Sequence, residues 1–190
     1  MMVMKKKIAV ISSSVRDGRL SHRVALFLKD YLDSRGDAEA DIVDLREYDF
    51  PLFHERLAYM KEPAPDVLGF ARRITEADGV LVVSPVYNAS FPAALKNVID
   101  LLFSEWVNKP VLVVSVTYGP NPGIQTVQQL QALFLKMGAR VAAPAYTVLN
   151  AGTDFSEGGT PADRERLERY AKAPVEELMW LVRKSSEDRG

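Results

Sequence analysis

The chain has no cysteine and only two histidines, His22 and His54, in 190 residues. Disulfides, cysteine-ligated zinc, iron–sulfur clusters and a cysteine nucleophile are therefore excluded. A histidine-rich metal centre lacks its ligands. Excess charge is missing too: 24 Lys+Arg against 25 Asp+Glu leave a net charge of -1. A dedicated nucleic-acid binder is usually strongly basic, so no nucleic-acid partner is expected. No apolar run approaches the ~20 residues of a membrane span. The basic triplet Lys5-Lys6-Lys7 precedes only the apolar Ile8 to Ile11, too short a run for a secretory signal. Repeats and Pro/Ser-rich linkers are absent. The expectation is a cytoplasmic protein with no membrane partner, one domain over 1–184 and a frayed polar tail at 185–190.

What is present is a regular alternation of short apolar runs and helical stripes. Residues 7–12 read as a buried strand. Val24, Phe27, Leu28, Tyr31 and Leu32 then follow helical spacing, and Gly36 suits the position just past that helix. Residues 40–44 form a second strand, less apolar and so nearer an edge. Residues 45–65, with Pro51, Pro63 and Pro65, are the least regular stretch. A helix from Pro65 carries Val67, Phe70, Ala71 and Ile74. Residues 79–84 are a strand apolar on both faces, followed by a helix with Leu95, Val98, Ile99 and Leu102. Residues 110–116 are a fourth strand, and Ile124, Val127, Leu130, Phe134 and Met137 stripe a fourth helix. A fifth strand lies within 140–149, interrupted by Pro144. Thr160-Pro161-Ala162-Asp163 reads as a helix start with Thr160 as N-cap, and Pro174 is expected to kink or break the helix that follows.

Strands apolar on both faces, separated by amphipathic helices, imply an α/β protein with a parallel sheet covered on both sides. With five strands and right-handed crossovers, the expected fold is a flavodoxin-like three-layer sandwich of strand order 2-1-3-4-5. Ligands in such sheets bind beyond the carboxyl ends of the strands. Three loops are therefore the places for chemistry.

The first is Ser12 to Ser21, with several serines, Arg16, Arg19 and Gly18 leading into a helix. Helix-start amides, hydroxyls and guanidinium groups suit a phosphate. Neither G-x-G-x-x-G nor a Walker A loop is present; the competing reading is a capped helix with solvated arginines. The second loop, Ser84 to Asn97, offers Tyr87 and Phe91 as flat apolar surfaces and Asn88 as a polar group; its aromatics could equally pack inside. The third, Thr117 to Gly123, is stiff and opens the fourth helix. Together they fit a phosphorylated planar cofactor, and FMN has that shape.

Ser13-Ser14-Val15-Arg16-Asp17-Gly18-Arg19 and Pro85-Val86-Tyr87-Asn88-Ala89-Ser90-Phe91-Pro92-Ala93-Ala94-Leu95-Lys96-Asn97 resemble two motifs of the NADPH-dependent FMN reductase family. That family groups quinone, azo and chromate reductase-like flavoproteins. Asp44-Leu45 with Pro51-Leu52, and Trp106 with Lys109-Pro110-Val111, continue the likeness. The resemblance implies FMN as cofactor and NADPH or NADH as co-substrate. It implies that Ser14, Arg16, Arg19 and the amides of Leu20 and Ser21 hold the phosphate. Pro85, Val86, Tyr87 and Asn88 would border the ring and ribityl chain, and Thr117, Tyr118 and Gly119 its other edge. No catalytic side chain is implied. The partners implied are a small-molecule electron acceptor and a second copy of the chain, as homodimer or homotetramer. Three positions depart from the pattern: Ser13 replaces a glycine, Val86 a glutamate, and Pro120 and Pro122 interrupt a loop that often carries paired glycines.

The alternatives are a flavodoxin-like electron carrier, which the near-zero charge disfavours, and a non-catalytic flavin-binding protein. A serine hydrolase lacks its G-x-S-x-G elbow. Trp106 and Trp180 are expected in cores or interfaces.

Overall fold

The structure, a computed structural model, describes residues 4–187. β1 (Lys6–Ser12), α1 (Leu20–Ser34), β2 (Ala38–Asp44), α2 (Pro65–Glu76), β3 (Gly79–Pro85) and α3 (Ala93–Leu101) follow one another. β4 (Pro110–Val116), α4 (Ile124–Lys136), β5 (Arg140–Val141), β6 (Tyr146–Val148), α5 (Ala151–Asp154) and α6 (Arg164–Glu187) complete the chain. The sheet runs β2-β1-β3-β4-β5, with β6 also paired to β4. All these pairings are parallel. This is the expected flavodoxin-like order, with β2 at an edge.

Side chains alternate across a strand, so each central strand feeds two cores. Ile8 and Val10 pack with Leu81, Val83, Leu112 and Val114 under α1 and α6. Ala9 and Ile11 pack with Val80, Val82, Val111 and Val113 under α2, α3 and α4. Trp106 is fully buried in the second core and donates its indole N–H to the Ile99 carbonyl at 3.1 Å. Trp180 is instead half exposed on the outer face of α6. Gly36, at φ 80°, follows α1 as expected.

The fifth strand is split. β5 pairs with Pro110 and Val111, and β6 with Val114 to Val116. Between them the Ala142 amide still reaches the Val111 carbonyl. Pro144 has no N–H to offer and is exposed there, so the edge strand bulges around it.

The C-terminal region corrects three expectations. The last helix starts at Arg164, and its cap is Asp163, whose Oδ1 accepts the Arg166 amide at 3.0 Å. Thr160 and Pro161 instead form a turn, with the Thr160 amide on the Ser156 hydroxyl and a bridge from Pro161 to Phe155. Pro174 does not break the helix. An interior proline costs about 3 kcal/mol. Here Ala171, Val175, Leu178, Met179 and Val182 seat α6 on the sheet core and offset it. The helix also continues through 185–187, where a frayed tail was expected. Ser185 is buried, and its hydroxyl accepts from Arg140 at 3.2 Å. Residues 188–190 lie outside the described residues. Among the described residues, no helix is long and apolar enough to cross a membrane.

The irregular 45–65 stretch is tied down by α3. Asn97 Oδ1 accepts the Phe53 amide at 2.7 Å, and its Nδ2 donates to the Pro51 carbonyl at 2.9 Å. Asn97→Ala should cost about 1–2 kcal/mol, the sum of two modest hydrogen bonds. Proteolysis should show the 51–59 segment opening first; a cleavage pattern unchanged from wild type would contradict the tether.

Candidate functional site

The loops after β1, β3 and β4 meet in a cleft of about 1120 Å³ at the carboxyl end of the sheet. From the first loop, Ser14, Arg16, Arg19, Leu20 and Ser21 line it. Pro85, Val86 and Tyr87 come from the second, Thr117 and Tyr118 from the third. Asn88 and Gly119 do not line it. Asn88, at φ 50°, sits with Ala89 at the tip of a tight turn in which Tyr87 and Ser90 exchange both backbone hydrogen bonds. Its side chain is exposed outside the lining. The Gly119 amide is pinned to the Leu149 carbonyl at 3.1 Å, where the loop continues the β4 ladder.

The first loop leaves polar donors without partners at the start of α1. Arg19 precedes α1 in an extended conformation, and no side chain caps the helix there among the described residues. The first-turn amides of Leu20, Ser21 and His22 thus have no intrahelical acceptor. Ser21 belongs to the cleft wall, and its hydroxyl is buried with no hydrogen-bond partner among the described residues. A buried orphan hydroxyl costs about 1–3 kcal/mol. Ser14 adds a second hydroxyl, 2.7 Å from the Tyr87 hydroxyl and accepting the Arg16 amide at 3.3 Å. That contact ties the first loop to the second. Arg16 is exposed at the cleft mouth.

Ser13, which stands where a glycine is usual, turns away from the cleft. Its hydroxyl donates to the Val83 carbonyl at 2.8 Å and is fully buried. The substitution therefore adds nothing to the lining. Val86 packs against Gly123, at φ 65°, where any added Cβ would collide with Val86 Cγ2.

Arg19 has a partner that the sequence did not announce. Its Nη1 and Nη2 donate to Oδ1 and Oδ2 of Asp44, both at 2.5 Å. Nη1 also donates to the Ser14 carbonyl at 2.7 Å. The guanidinium that was expected to hold the phosphate is thus committed to a carboxylate and a backbone oxygen. Behind it, His22 Nδ1 lies 3.0 Å from the Ser12 hydroxyl and 3.5 Å from Asp44 Oδ2. Burial, then the Arg19 charge, hold His22 below its ordinary pKa, against the pull of Asp44 and Glu47.

Burial alone would raise the pKa of Asp44. The Arg19 hydrogen bonds, the Arg46 amide and the Arg19 charge outweigh it, holding the carboxyl below its ordinary 3.8. A lowered folded-state pKa means that the unfolded chain takes up the proton first. The stabilisation is complete above the unfolded value and drains away as pH falls through the folded one. Below about pH 4 the melting temperature of the wild type should therefore drop more steeply than that of Asp44→Asn. Parallel melting curves for the two would deny Asp44 this role.

Sequence reasoning missed Asp44 as a site residue, although its place at the carboxyl end of β2 was a signal. It also placed Ile124 on the apolar stripe of the fourth helix. Ile124 is instead 46% exposed and lines the cleft with Gln125 and Gln128, because α4 begins at the cleft wall.

The sequence matches the NADPH-dependent FMN reductase family over residues 6–154. The chain belongs to that family. It is an oxidoreductase with FMN as cofactor and NAD(P)H as reductant. Among its relatives, an NAD(P)H-dependent FMN reductase of Schizosaccharomyces pombe is 35% identical over 155 residues, covering 75% of this chain and 73% of the relative. A quinone reductase of Pseudomonas putida is 32% identical over 167 residues, covering 84% and 86%. An NADPH azoreductase of Bacillus sp. is 28% identical over 162 residues, covering 85% of each. In solved structures the fold recurs in a flavoenzyme NAD(P)H:(acceptor) oxidoreductase of Paracoccus denitrificans. The TM-score is 0.76 at 23% identity, over 93% of this chain and 97% of that one.

Proposed function

We propose that this family member binds FMN with its phosphate at the start of α1, and reduces small oxidised acceptors at the expense of NAD(P)H. The observation that carries the placement is the Ser21 hydroxyl, buried without a partner at an uncapped helix start inside the cleft. The residues present fit the group. Ser14, Ser21, the Leu20 and Ser21 amides and Arg16 would hold the phosphate. Helix dipole and free amides favour an anion there. Pro85, Val86 and Ile124 offer apolar surface for a flat ring and keep water from its buried side. Tyr87, held by Ser14, fixes the second loop as a wall.

When bound, FMN supplies the hydride chemistry that no side chain of this protein can supply. The protein orients the reactants and needs no proton carrier of its own. The ionisable side chains that line the cleft are Arg16, Asp17, Arg19, Tyr87 and Tyr118, and Asp17 is paired with Arg46 at 2.7 Å. One open cleft serves reductant and acceptor in turn, which makes a ping-pong cycle part of the proposal. The acceptors considered are quinones, azo compounds, metal oxyanions and free flavin. The relatives named as quinone reductase and azoreductase support the first two.

Self-association is also proposed, as homodimer or homotetramer. Leu52, Phe53 and Tyr59 expose large apolar surface along 51–59, and Arg56 sits over the ring of exposed Phe103 at 4.7 Å. Light scattering that returns a monomer mass would contradict it. A reductase fed by NAD(P)H works where that coenzyme is kept reduced, so the cytoplasm is the proposed location.

The test is anaerobic addition of NADPH or NADH to the FMN-loaded protein, followed by a quinone. Bleaching of the visible flavin bands, recovery on adding quinone and parallel double-reciprocal plots are expected. Flavin that binds and stays oxidised would overturn the catalytic reading in favour of a non-catalytic flavin protein.

A further inference from the structure

We infer that Asp44, which does not line the cleft, is a positioning residue that sets the preference of the site for a phosphorylated flavin over an unphosphorylated one. The inference rests on the placement of the phosphate at the α1 start proposed above. Asp44 closes β2 and is only 3% exposed. Both of its oxygens receive the Arg19 guanidinium, in the planar fork-to-fork geometry that only arginine can make with a carboxylate. The Arg46 amide fixes the carboxylate from its own strand end, donating to Oδ1 at 3.1 Å. Arg19 Nη1 then carries the restraint to the Ser14 carbonyl. A continuous chain of hydrogen bonds thus runs from β2 to the two ends of the anion loop, residues 14 and 19.

That chain has two consequences. Ser14 and the residue that opens α1 are tied to each other through Arg19, which limits how far the Ser14 side of the loop can move from the helix start. The Arg19 charge is also neutralised by a carboxylate. Phosphate affinity then depends on where the loop donors stand more than on how many cations surround them. Neither effect touches the flavin ring, whose proposed walls come from the second and third loops. The prediction is therefore selective: disturbing Asp44 weakens the phosphorylated ligand and spares the unphosphorylated one.

The experiment measures dissociation constants of FMN and riboflavin, which differ only by the phosphate, for the wild type, Asp44→Asn and Arg19→Lys. Losing the alignment of even one charge-assisted hydrogen bond costs about tenfold in affinity. Asp44→Asn should lose at least about tenfold for FMN and stay within about twofold for riboflavin. Arg19→Lys keeps the charge but cannot fork, so it should show the same selective loss, and the double variant should be little worse than either single one. An unchanged FMN-to-riboflavin ratio in both variants would reduce Asp44 to a stability role, since a general loosening shifts both ligands together. Tighter FMN binding by Asp44→Asn would also overturn the inference, because a released Arg19 would then be acting as a phosphate ligand. Should Asp44→Asn fail to fold, an unchanged FMN-to-riboflavin ratio in Arg19→Lys would still overturn the inference. A wild type that binds neither flavin, or both equally, removes the phosphate site itself and is distinguishable from either result.

Discussion

Ser21→Asp should abolish FMN binding at useful concentrations while leaving riboflavin binding in place. The new carboxylate would occupy the niche where the Ser21 hydroxyl is buried without a partner. It would take the helix-start amides for itself and repel the phosphate. At least two charge-assisted hydrogen bonds are lost, each worth about 1.5–3 kcal/mol, which is about a 10²- to 10⁴-fold loss in affinity. Because Ser21 is 1% exposed, desolvating the new carboxylate should lower thermal stability, and the helix-start amides offset only part of that cost. Ser21→Ala makes the complementary case. It removes an unsatisfied buried hydroxyl, so the flavin-free protein should gain up to about 1 kcal/mol while FMN affinity falls about tenfold. A site residue that destabilises the empty protein is the expected signature of a ligand position. If Ser21→Asp bound FMN like the wild type, the phosphate would have to lie elsewhere.

Gly123→Ala should destabilise the protein by about 2–5 kcal/mol. Gly123 holds φ at 65° where α4 begins, a conformation that costs other residues about 1–2 kcal/mol. An added Cβ would also run into Val86 Cγ2, and such overpacking costs about 1–3 kcal/mol. The two contributions separate in Val86→Ala/Gly123→Ala, which relieves the collision but not the backbone strain. Urea unfolding should therefore place the double variant between the wild type and Gly123→Ala. Wild-type stability in Gly123→Ala would mean that the third wall is not packed as described. The pairing also gives a reason for valine at position 86: it fills the space over a glycine that the α4 start requires.

The sheet order was legible because it rests on local information. Five apolar runs flanked by amphipathic stripes leave few right-handed arrangements, and the switch-point rule then selects the three loops. Ser14, Ser21 and Val86 stand in the cleft for that reason. What escaped the sequence rests on distant pairings. The Arg19 pairing was invisible because Asp44 lies 25 residues away on another strand. Asn88 looked like a site residue because a turn tip and a wall residue are alike in one dimension. Ile124 matched the α4 stripe, yet the helix begins at the cleft and leaves that position outside the core. Pro174 was expected to kink or break its helix on local grounds, and the packing of α6 on the sheet keeps the helix continuous through it. The cap at Asp163 instead of Thr160 reflects two adjacent candidates that local pattern alone does not rank.

On the proposed placement, the α1 start recognises the phosphate of a flavin. Equilibrium titration of the flavin-free protein with FMN and with riboflavin, read by flavin fluorescence, tests it most directly. FMN should bind at least about 100-fold more tightly than riboflavin. Equal affinities for the two, or no binding of FMN, would contradict it.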